Sequence, residues 1–264
     1  MKDKRSESLI DKKVFYRNLT RLALPISLQS LMLASVAAGD ALMLGKVAQD
    51  QMTAVSLATQ IQFVQNMFLG AITAAGAILG AQYWGKGDKH KLEDIFNIML
   101  WFCGIVSIIF FLACELMPGL LMHIFTHDAS LIALGSSYLR IAGWSYLLTG
   151  ISQCSLTMMK VSEHVKPGAI ISSCAVLLNI CLNAVFIFGL FGAPRMEAKG
   201  AALATTISRI IELVLCLAVS SGASYIRPAF NRFFKLPKQL QGDFTRQCLP
   251  LMGGSLCWGV GFTS

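Results

Sequence analysis

Three polar side chains lie deep inside long apolar stretches of this sequence. Asp40 lies in the first stretch, while Asn179 and Asn183 lie four residues apart in the fifth. On a helix, a spacing of four places both amides on the same face. Two amide oxygens beside a carboxylate suit a hard cation such as Na⁺, and the same amides can also hydrogen-bond a protonated aspartic acid. These residues therefore predict a cation or proton site.

Each of these residues also has a purely structural interpretation. Asp40 can cap the short loop at Gly45-Lys46 at the outer face of a membrane, and the two amides can join neighbouring helices by hydrogen bonds. An ionised carboxylate inside a bilayer is strongly disfavoured unless it is paired, hydrated or protonated, which favours the ion site for Asp40. For the asparagine pair, the spacing alone leaves both interpretations open.

Amide side chains also occur in the second and fourth apolar stretches. Gln60, Gln62, Gln65 and Asn66 follow an irregular polar pattern in the outer half of the second stretch, and Gln153 lies in the fourth stretch. Lipid offers no hydrogen bonds, so such side chains must face a partner helix or a water-filled cavity. We therefore predict a polar substrate cavity lined by Gln60, Gln65, Asn66 and Gln153.

Three further patterns have a structural interpretation that outweighs the chemical one. Arg209 and Glu212 lie three residues apart in the sixth stretch, which predicts a structural ion pair rather than a transport role. The run from Gly80 to Lys86 resembles a phosphate-binding loop, but residue 87 is glycine instead of serine or threonine, and no strand precedes it. The segment His123–Asp128 has the spacing of a metal site but lacks a third ligand. We expect no catalytic site and no cofactor.

The composition predicts that these residues are carried by membrane-spanning helices. Apolar residues make up 55% of the 264 residues and charged residues only 14%, with a mean hydropathy of +0.62. A bilayer core about 30 Å thick requires roughly 20 apolar residues of helix. Period-2 alternation is absent, so a β-barrel is not expected. Six complete stretches qualify: 22–44, 52–84, 94–117, 131–159, 168–191 and 199–221. A seventh begins near Gln247.

The basic residues predict how the chain is oriented. If the N-terminus is cytoplasmic, 17 of the 22 Lys and Arg fall on the inner side and only Lys46, Arg195 and Lys199 on the outer side. This asymmetry indicates an N-in, multi-pass protein of the cell (plasma) membrane. Contact with anionic membrane lipids explains the net charge of +8, so no nucleic-acid partner is expected.

A short internal repeat predicts a duplicated architecture. Arg21-x-x-Leu24-Pro25 recurs as Arg246-x-x-Leu249-Pro250, at an offset of 225 residues and at the entry of an apolar stretch in both cases. Many transporters are built from two such repeats. Doubling the offset predicts a complete protein of about 450 residues. The expected organisation is a cytoplasmic segment (1–21), a six-helix lobe (22–221), a cytoplasmic linker (222–246) and the start of a seventh helix (247–264).

The small residues and the cysteines indicate that the helices pack against one another. Gly76-x-x-x-Gly80 places two small residues on one helix face, which favours close contact between helices in lipid. The eight cysteines fall almost entirely inside apolar stretches without a C-x-x-C pattern. We expect them to pack as small hydrophobic residues rather than to form disulfides or a zinc site.

Taken in order, several motifs resemble the multidrug and toxic compound extrusion (MATE) family. Leu22-Ala-Leu-Pro25 with Asp40 resembles the family's first helix, and Ala81–Asp88 resembles its first cytoplasmic loop. Asn179–Phe188 and Gly200–Arg209 resemble the fifth and sixth helices. Leu249-Pro250 with Trp258 resembles the start of the seventh.

The resemblance implies an all-α membrane transporter of twelve helices in two six-helix lobes, of which this chain holds the first. It implies alternating-access export of cationic amphipathic compounds, driven by Na⁺ or H⁺. It also implies an N-lobe cation site at Asp40, Asn179, position 183 and Thr205. Proline removes a backbone hydrogen bond from a helix, so we expect Pro25 to act as a hinge of the first helix. One branch of the family has Asp at position 183, and some relatives have Glu where this chain has Ser255. Asn183 therefore leaves the coupling ion open.

Two other functions remain alternatives at this point. A lipid-linked oligosaccharide flippase has a related architecture, but it needs a cavity rich in Lys and Arg, and only Arg140 and Arg209 lie within the apolar stretches. An intramembrane enzyme needs a nucleophile with its base, or a metal cluster, within the bundle, whereas all four histidines are expected in loops. The sequence therefore favours an ion-coupled exporter of small organic cations that also requires a C-terminal lobe.

Overall fold

The structure is a computed structural model that describes most of the chain from Gln49 onward. It describes residues 49–192, 194–222, 226–228 and 237–263, and positions 16, 20, 23, 24, 27, 31 and 233 singly. At the C-terminal end, side chains are described as far as 257 and at 259. Asp40 and Pro25, the predicted ion ligand and hinge, lie outside the described residues.

The described residues form helices and connecting turns, with no strand among them. The helices are α1 (Gln49–Gly85), α2 (Lys89–Leu116), α3 (Pro118–His123), α4 (Ala129–Val161), α5 (Val165–Phe188), α6 (Glu197–Ser220) and α7 (Lys238–Thr263). A 3₁₀ turn at Leu190–Gly192 joins α5 to α6. The all-helical fold class expected from composition is confirmed.

Four of these helices, α1, α2, α5 and α6, are long and apolar enough to cross a membrane. They correspond to the second, third, fifth and sixth predicted stretches, the last three of which were predicted to end one to three residues later. The fourth stretch forms α4, which has 33 residues and is long enough to span, but it is not among the four. Helix α4 carries Arg140, Gln153 and several hydroxyl side chains, which lower its hydropathy, and four of the hydroxyl residues are buried in the bundle (Ser145, Thr149, Ser152 and Ser155).

Helix α4 occupies the centre of the bundle. It packs against α1, α2, α3 and α6, while α5 packs on α6 and α7 packs on α1. Small residues permit these close approaches: a Cβ on Gly150 would lie 3.2 Å from the carbonyl oxygen of Cys103 in α2. Gly76 and Gly80 of α1 likewise face Met99 and Val161, so the predicted small-residue face does lie at helix contacts.

Helix α7 begins earlier than the apolar pattern predicts. Its first residue is Lys238 rather than Gln247, so the helix extends into the predicted linker. Leu240, Phe244 and Cys248 follow a spacing of four and are all buried. This first part is therefore amphipathic and stabilised by one buried face, a pattern that a search for continuous apolar stretches misses.

The segments that resemble a phosphate-binding loop and a metal site each lead into a helix N-cap. Gly87 has φ +73°, and the Asp88 side chain then accepts a hydrogen bond from Lys91 N at 3.2 Å, which starts α2. Asp128 starts α4 by accepting from the Ser130 hydroxyl and backbone N–H, both at 2.8 Å. Those bonds lower the pKa of Asp128. No metal-binding group of three His, Cys, Asp or Glu residues occurs among the described residues.

The turn between α5 and α6 brings the two helices together at Gly200. The Met196 N–H donates to Phe186 O at 2.9 Å, and a Cβ added at Gly200 would lie 2.8 Å from the same oxygen. The side chain of Gln51 donates to Glu197 Oε2 at 2.9 Å, which ties the start of α1 to the start of α6. Gly200 therefore sets the separation of the helices that carry the predicted cation site.

We predict that Gly200→Ala destabilises the bundle by about 1–3 kcal/mol, because the new methyl group overlaps a backbone oxygen that is held in a hydrogen bond. The midpoint of thermal unfolding of the purified protein should fall by several degrees. Gly104→Ala in α2 is the matched control, since a Cβ there meets nothing within 4 Å. An unfolding midpoint unchanged by Gly200→Ala would contradict the close approach.

Candidate cation site and substrate cavity

A cavity of about 490 Å³ lies among α1, α4, α5 and α6. This volume falls within the range of small-molecule sites. The wall mixes apolar side chains, such as Val55, Leu69 and Val176, with many polar ones. The polar residues of the wall are Ser56, Thr59, Gln62, Asn66, Thr73, Tyr138, Gln153, Ser172, Asn179, Thr205, Ser208, Arg209 and Glu212.

The polar wall follows helical periodicity on each contributing helix. On α1 it consists of Ser56, Thr59, Gln62, Asn66 and Thr73, at intervals of three, four or seven residues. Such intervals keep the side chains on one face of a helix. Gln62 and Asn66, two of the amides that looked irregular in the sequence, belong to this regular stripe once serine and threonine are included. Gln60 and Gln65 are not part of it.

The predicted asparagine pair forms a chain of hydrogen bonds that reaches α6. Asn183 Nδ2 donates to Asn179 Oδ1 at 3.2 Å, and Asn179 Nδ2 donates to Thr205 Oγ1 at 3.3 Å. The Thr205 hydroxyl in turn donates to Ala201 O at 3.0 Å. Asn179 and Thr205 lie on the cavity wall, whereas Asn183 is fully buried behind them. We call these three side chains the amide–hydroxyl relay.

Asn179 and Thr205, the two relay residues on the cavity wall, keep acceptor capacity. An amide oxygen has two lone pairs, and Asn179 Oδ1 uses one of them to accept from Asn183. The Thr205 hydroxyl accepts one bond and donates one, which leaves it a second lone pair. These two oxygens, from different helices, can coordinate a small cation or accept a hydrogen bond from a protonated carboxyl group.

Of the four residues predicted to line a substrate cavity, two lie on the described wall and two do not. Asn66 and Gln153 lie on its wall. Gln65 does not, because it is fully buried and donates to Tyr146 O at 2.9 Å, which joins α1 to α4. Gln60 is exposed and is absent from the described wall, since it lies on a different face of α1 from Thr59 and Gln62.

The Arg209–Glu212 pair lies on the cavity wall. Arg209 Nη1 lies 2.5 Å from Glu212 Oε2, so the predicted local ion pair forms. The sequence interpretation missed its position on the wall. Thr205, Ser208 and Glu212 are spaced by three and four residues, which places all of them on one face of α6. That spacing was the signal that could have placed the pair in the cavity.

A family model described as MatE matches residues 25–185 of the chain, which is more than half of its length. The chain belongs to the MatE (MATE) family. The resemblance inferred from the ordered motifs is thereby confirmed.

Two curated relatives show how much of a family member this chain represents. It is 28% identical over 202 residues to a probable multidrug resistance protein NorM of Bradyrhizobium diazoefficiens, covering 76% of this chain and 43% of that protein. It is 26% identical over 237 residues to the multidrug resistance protein MdtK of Pectobacterium atrosepticum, covering 86% and 51%. The chain spans about half the length of the curated relatives it matches.

Solved structures support the same fold. The Vibrio cholerae MATE transporter VcmN in its bent form superposes with a TM-score of 0.83 at 16% identity, covering 94% of this chain and 55% of that one. The outward-facing conformation of a multidrug resistance MATE transporter gives 0.82 at 16% identity, covering 93% and 54%. At this level of identity the likeness shows the shared fold of about half of a MATE transporter.

We predict that the cavity contains water in the membrane-embedded protein. In a background without native cysteines, Thr59→Cys and Gln153→Cys should react with a charged, water-soluble thiol reagent, because the reactive thiolate requires water. Two controls should stay unmodified: Ser145→Cys, which replaces a fully buried residue, and Ile108→Cys, whose position is 50% exposed on the apolar outer surface of α2. Labelling is read by mass spectrometry. Equal modification at all four positions would contradict a defined aqueous cavity.

Proposed function

We propose that this chain is the N-terminal lobe of an ion-coupled antiporter that exports cationic, amphipathic compounds by alternating access. The observation that carries the proposal is the amide–hydroxyl relay on the wall of a ligand-sized cavity in a MATE family member. The multidrug resistance relatives support an efflux role.

The coupling ion, Na⁺ or H⁺, binds at Asp40 with Asn179, Asn183 and Thr205. Asp40 supplies the negative charge, and Asn179 and Thr205 supply oxygen lone pairs from α5 and α6. Asn183 fixes the orientation of the Asn179 amide by donating to its oxygen. A single carboxylate makes the site neutral when it holds Na⁺ or H⁺, so the loaded site can remain in a poorly solvated environment.

The cavity gives the exported compound a surface of mixed character. Apolar side chains can cover the hydrophobic part of an amphipathic molecule, while the hydroxyls and amides of α1, with Gln153 of α4, orient its polar groups. No other cofactor is required, because the free energy for transport comes from the ion gradient. Ion binding or release at Asp40 alters the packing of the first helix, with Pro25 as the hinge.

The complete transporter requires a second lobe. A C-terminal lobe of the same protein closes the cavity from the other side, and α7 is its first helix. We propose the plasma membrane as its location, with a cytoplasmic N-terminus and with basic inner segments against anionic lipid headgroups.

The charge of the cavity separates this proposal from the flippase alternative. Among the described wall residues, Arg209 is the one basic side chain, and it is paired with Glu212. A site for lipid-linked phosphates needs several unpaired positive groups. The multidrug resistance relatives favour transport over an intramembrane enzyme.

We predict that Asp40→Asn in the full-length protein abolishes efflux of ethidium from a bacterial strain without its own multidrug pumps, because the neutral amide no longer binds the coupling ion. The protein level in the membrane should be unchanged. Asp50→Asn is the matched control, since it removes an exposed carboxylate at the start of α1 that is not on the described cavity wall. Normal efflux by Asp40→Asn would remove Asp40 from the mechanism.

A further inference from the structure

Helix α6 carries a charged pair on the cavity wall, and neither residue of the pair belongs to the proposed ion site. Arg209 Nη1 donates to Glu212 Oε2 at 2.5 Å, and both residues line the cavity. Glu212 follows Thr205 by seven residues, which is about 10 Å along a helix axis. The pair therefore opens into the same cavity as the amide–hydroxyl relay but at a different level.

The two partners differ in their access to the cavity. The Arg209 side chain is 23% exposed, whereas the Glu212 side chain is only 3% exposed. The guanidinium can therefore move into cavity water while the carboxylate remains buried. Because the residues lie three apart on one helix, separating them requires a side-chain rotation and no helix movement.

The Glu212 carboxylate has acceptor positions that Arg209 does not use. A carboxylate offers about four acceptor positions, and Arg209 Nη1 is the one hydrogen-bond donor that the described residues provide to it. The arrangement differs from a closed structural ion pair, in which further donors from neighbouring helices surround the carboxylate. A positive group that reaches Glu212 once Arg209 has moved aside therefore finds acceptor positions on the carboxylate.

The number of charged side chains on the wall determines how the cavity can bind a cationic cargo. Among the described wall residues, Glu212 is the one acidic side chain and Arg209 the one basic side chain. While they are paired, an organic cation in the cavity finds no counter-charge on this part of the wall. A cation that takes the place of Arg209 pairs with Glu212, and the released guanidinium is hydrated by cavity water.

We propose that Glu212 is a binding residue for the cationic cargo, and that Arg209 is its resting counter-ion, which the cargo displaces. This inference rests on the proposed export of organic cations and names the carboxylate that recognises their charge. Tyr138 of α4 lies on the same cavity wall and offers an aromatic ring to apolar or cationic groups of the cargo. The recognised class is a permanent organic monocation with apolar substituents.

The test measures binding to the purified full-length protein in nanodiscs by calorimetry. The probes are tetraphenylphosphonium, a permanent monocation, and triphenylphosphine oxide, a neutral compound of related shape. Glu212→Gln should weaken tetraphenylphosphonium binding about ten- to hundred-fold, the usual loss for a charged partner, and leave the neutral compound unaffected. Arg209→Gln should act in the opposite direction and tighten tetraphenylphosphonium binding, because the carboxylate no longer has a competing partner.

Two further variants keep the test decisive. The double variant Arg209→Gln/Glu212→Gln leaves no buried unpaired charge, so it should fold even if a single variant does not, and it should bind tetraphenylphosphonium as weakly as Glu212→Gln. Glu115→Gln is the matched control, since it removes a carboxylate of α2 that is not on the described cavity wall. It should bind both probes like the unmodified protein.

The outcomes distinguish a failure of the proposed role of Glu212 from a failure of the proposed export function. If the unmodified protein binds tetraphenylphosphonium and the double variant binds it equally well, Glu212 is not the cargo site, and the proposed function still stands. An equal loss of the charged and the neutral probe would assign the pair a structural role and overturn the inference. If the unmodified protein binds no organic cation, the proposed function itself fails.

Discussion

The fold and the site of this protein both depend on one constraint: lipid supplies no hydrogen bonds. Every backbone group of a spanning segment must then bond within its own helix, which accounts for the long helices α1, α2, α5 and α6. Polar side chains are subject to the same constraint and must face protein or water. Many polar side chains of the described bundle line the cavity among α1, α4, α5 and α6.

The constraint also explains how the helices approach one another. Lipid does not drive apolar surfaces together as water does, so close packing depends on small residues at the contacts. Gly150 brings α4 against α2, and Gly200 brings α6 against the end of α5. The second contact holds the helices of Asn179 and Thr205 at a separation that permits the 3.3 Å hydrogen bond between their side chains. A packing glycine and a site residue are thus parts of one arrangement.

The sequence predicted the helical class well and placed Asn179 and Asn183 on one helix face, because continuous apolar stretches and an i, i+4 spacing are local properties. It failed where side chains depend on neighbouring helices. Gln65 looked like a cavity residue, but it bonds to Tyr146 O across a helix contact that no local pattern reveals. The start of α7 was missed because Leu240 and Phe244 form one buried face of a polar segment. The Arg209–Glu212 pair was predicted, but its place on the cavity wall depends on the packing of α6 against three other helices.

Coupling of an ion gradient to cation export is the central claim, and a flux measurement on the full-length protein in proteoliposomes tests it most directly. An imposed gradient of Na⁺ or of H⁺ should drive tetraphenylphosphonium against its own concentration gradient. A tetraphenylphosphonium gradient should in turn move the same ion in the opposite direction. Tetraphenylphosphonium that equilibrates at the same rate with and without either ion gradient would contradict the account.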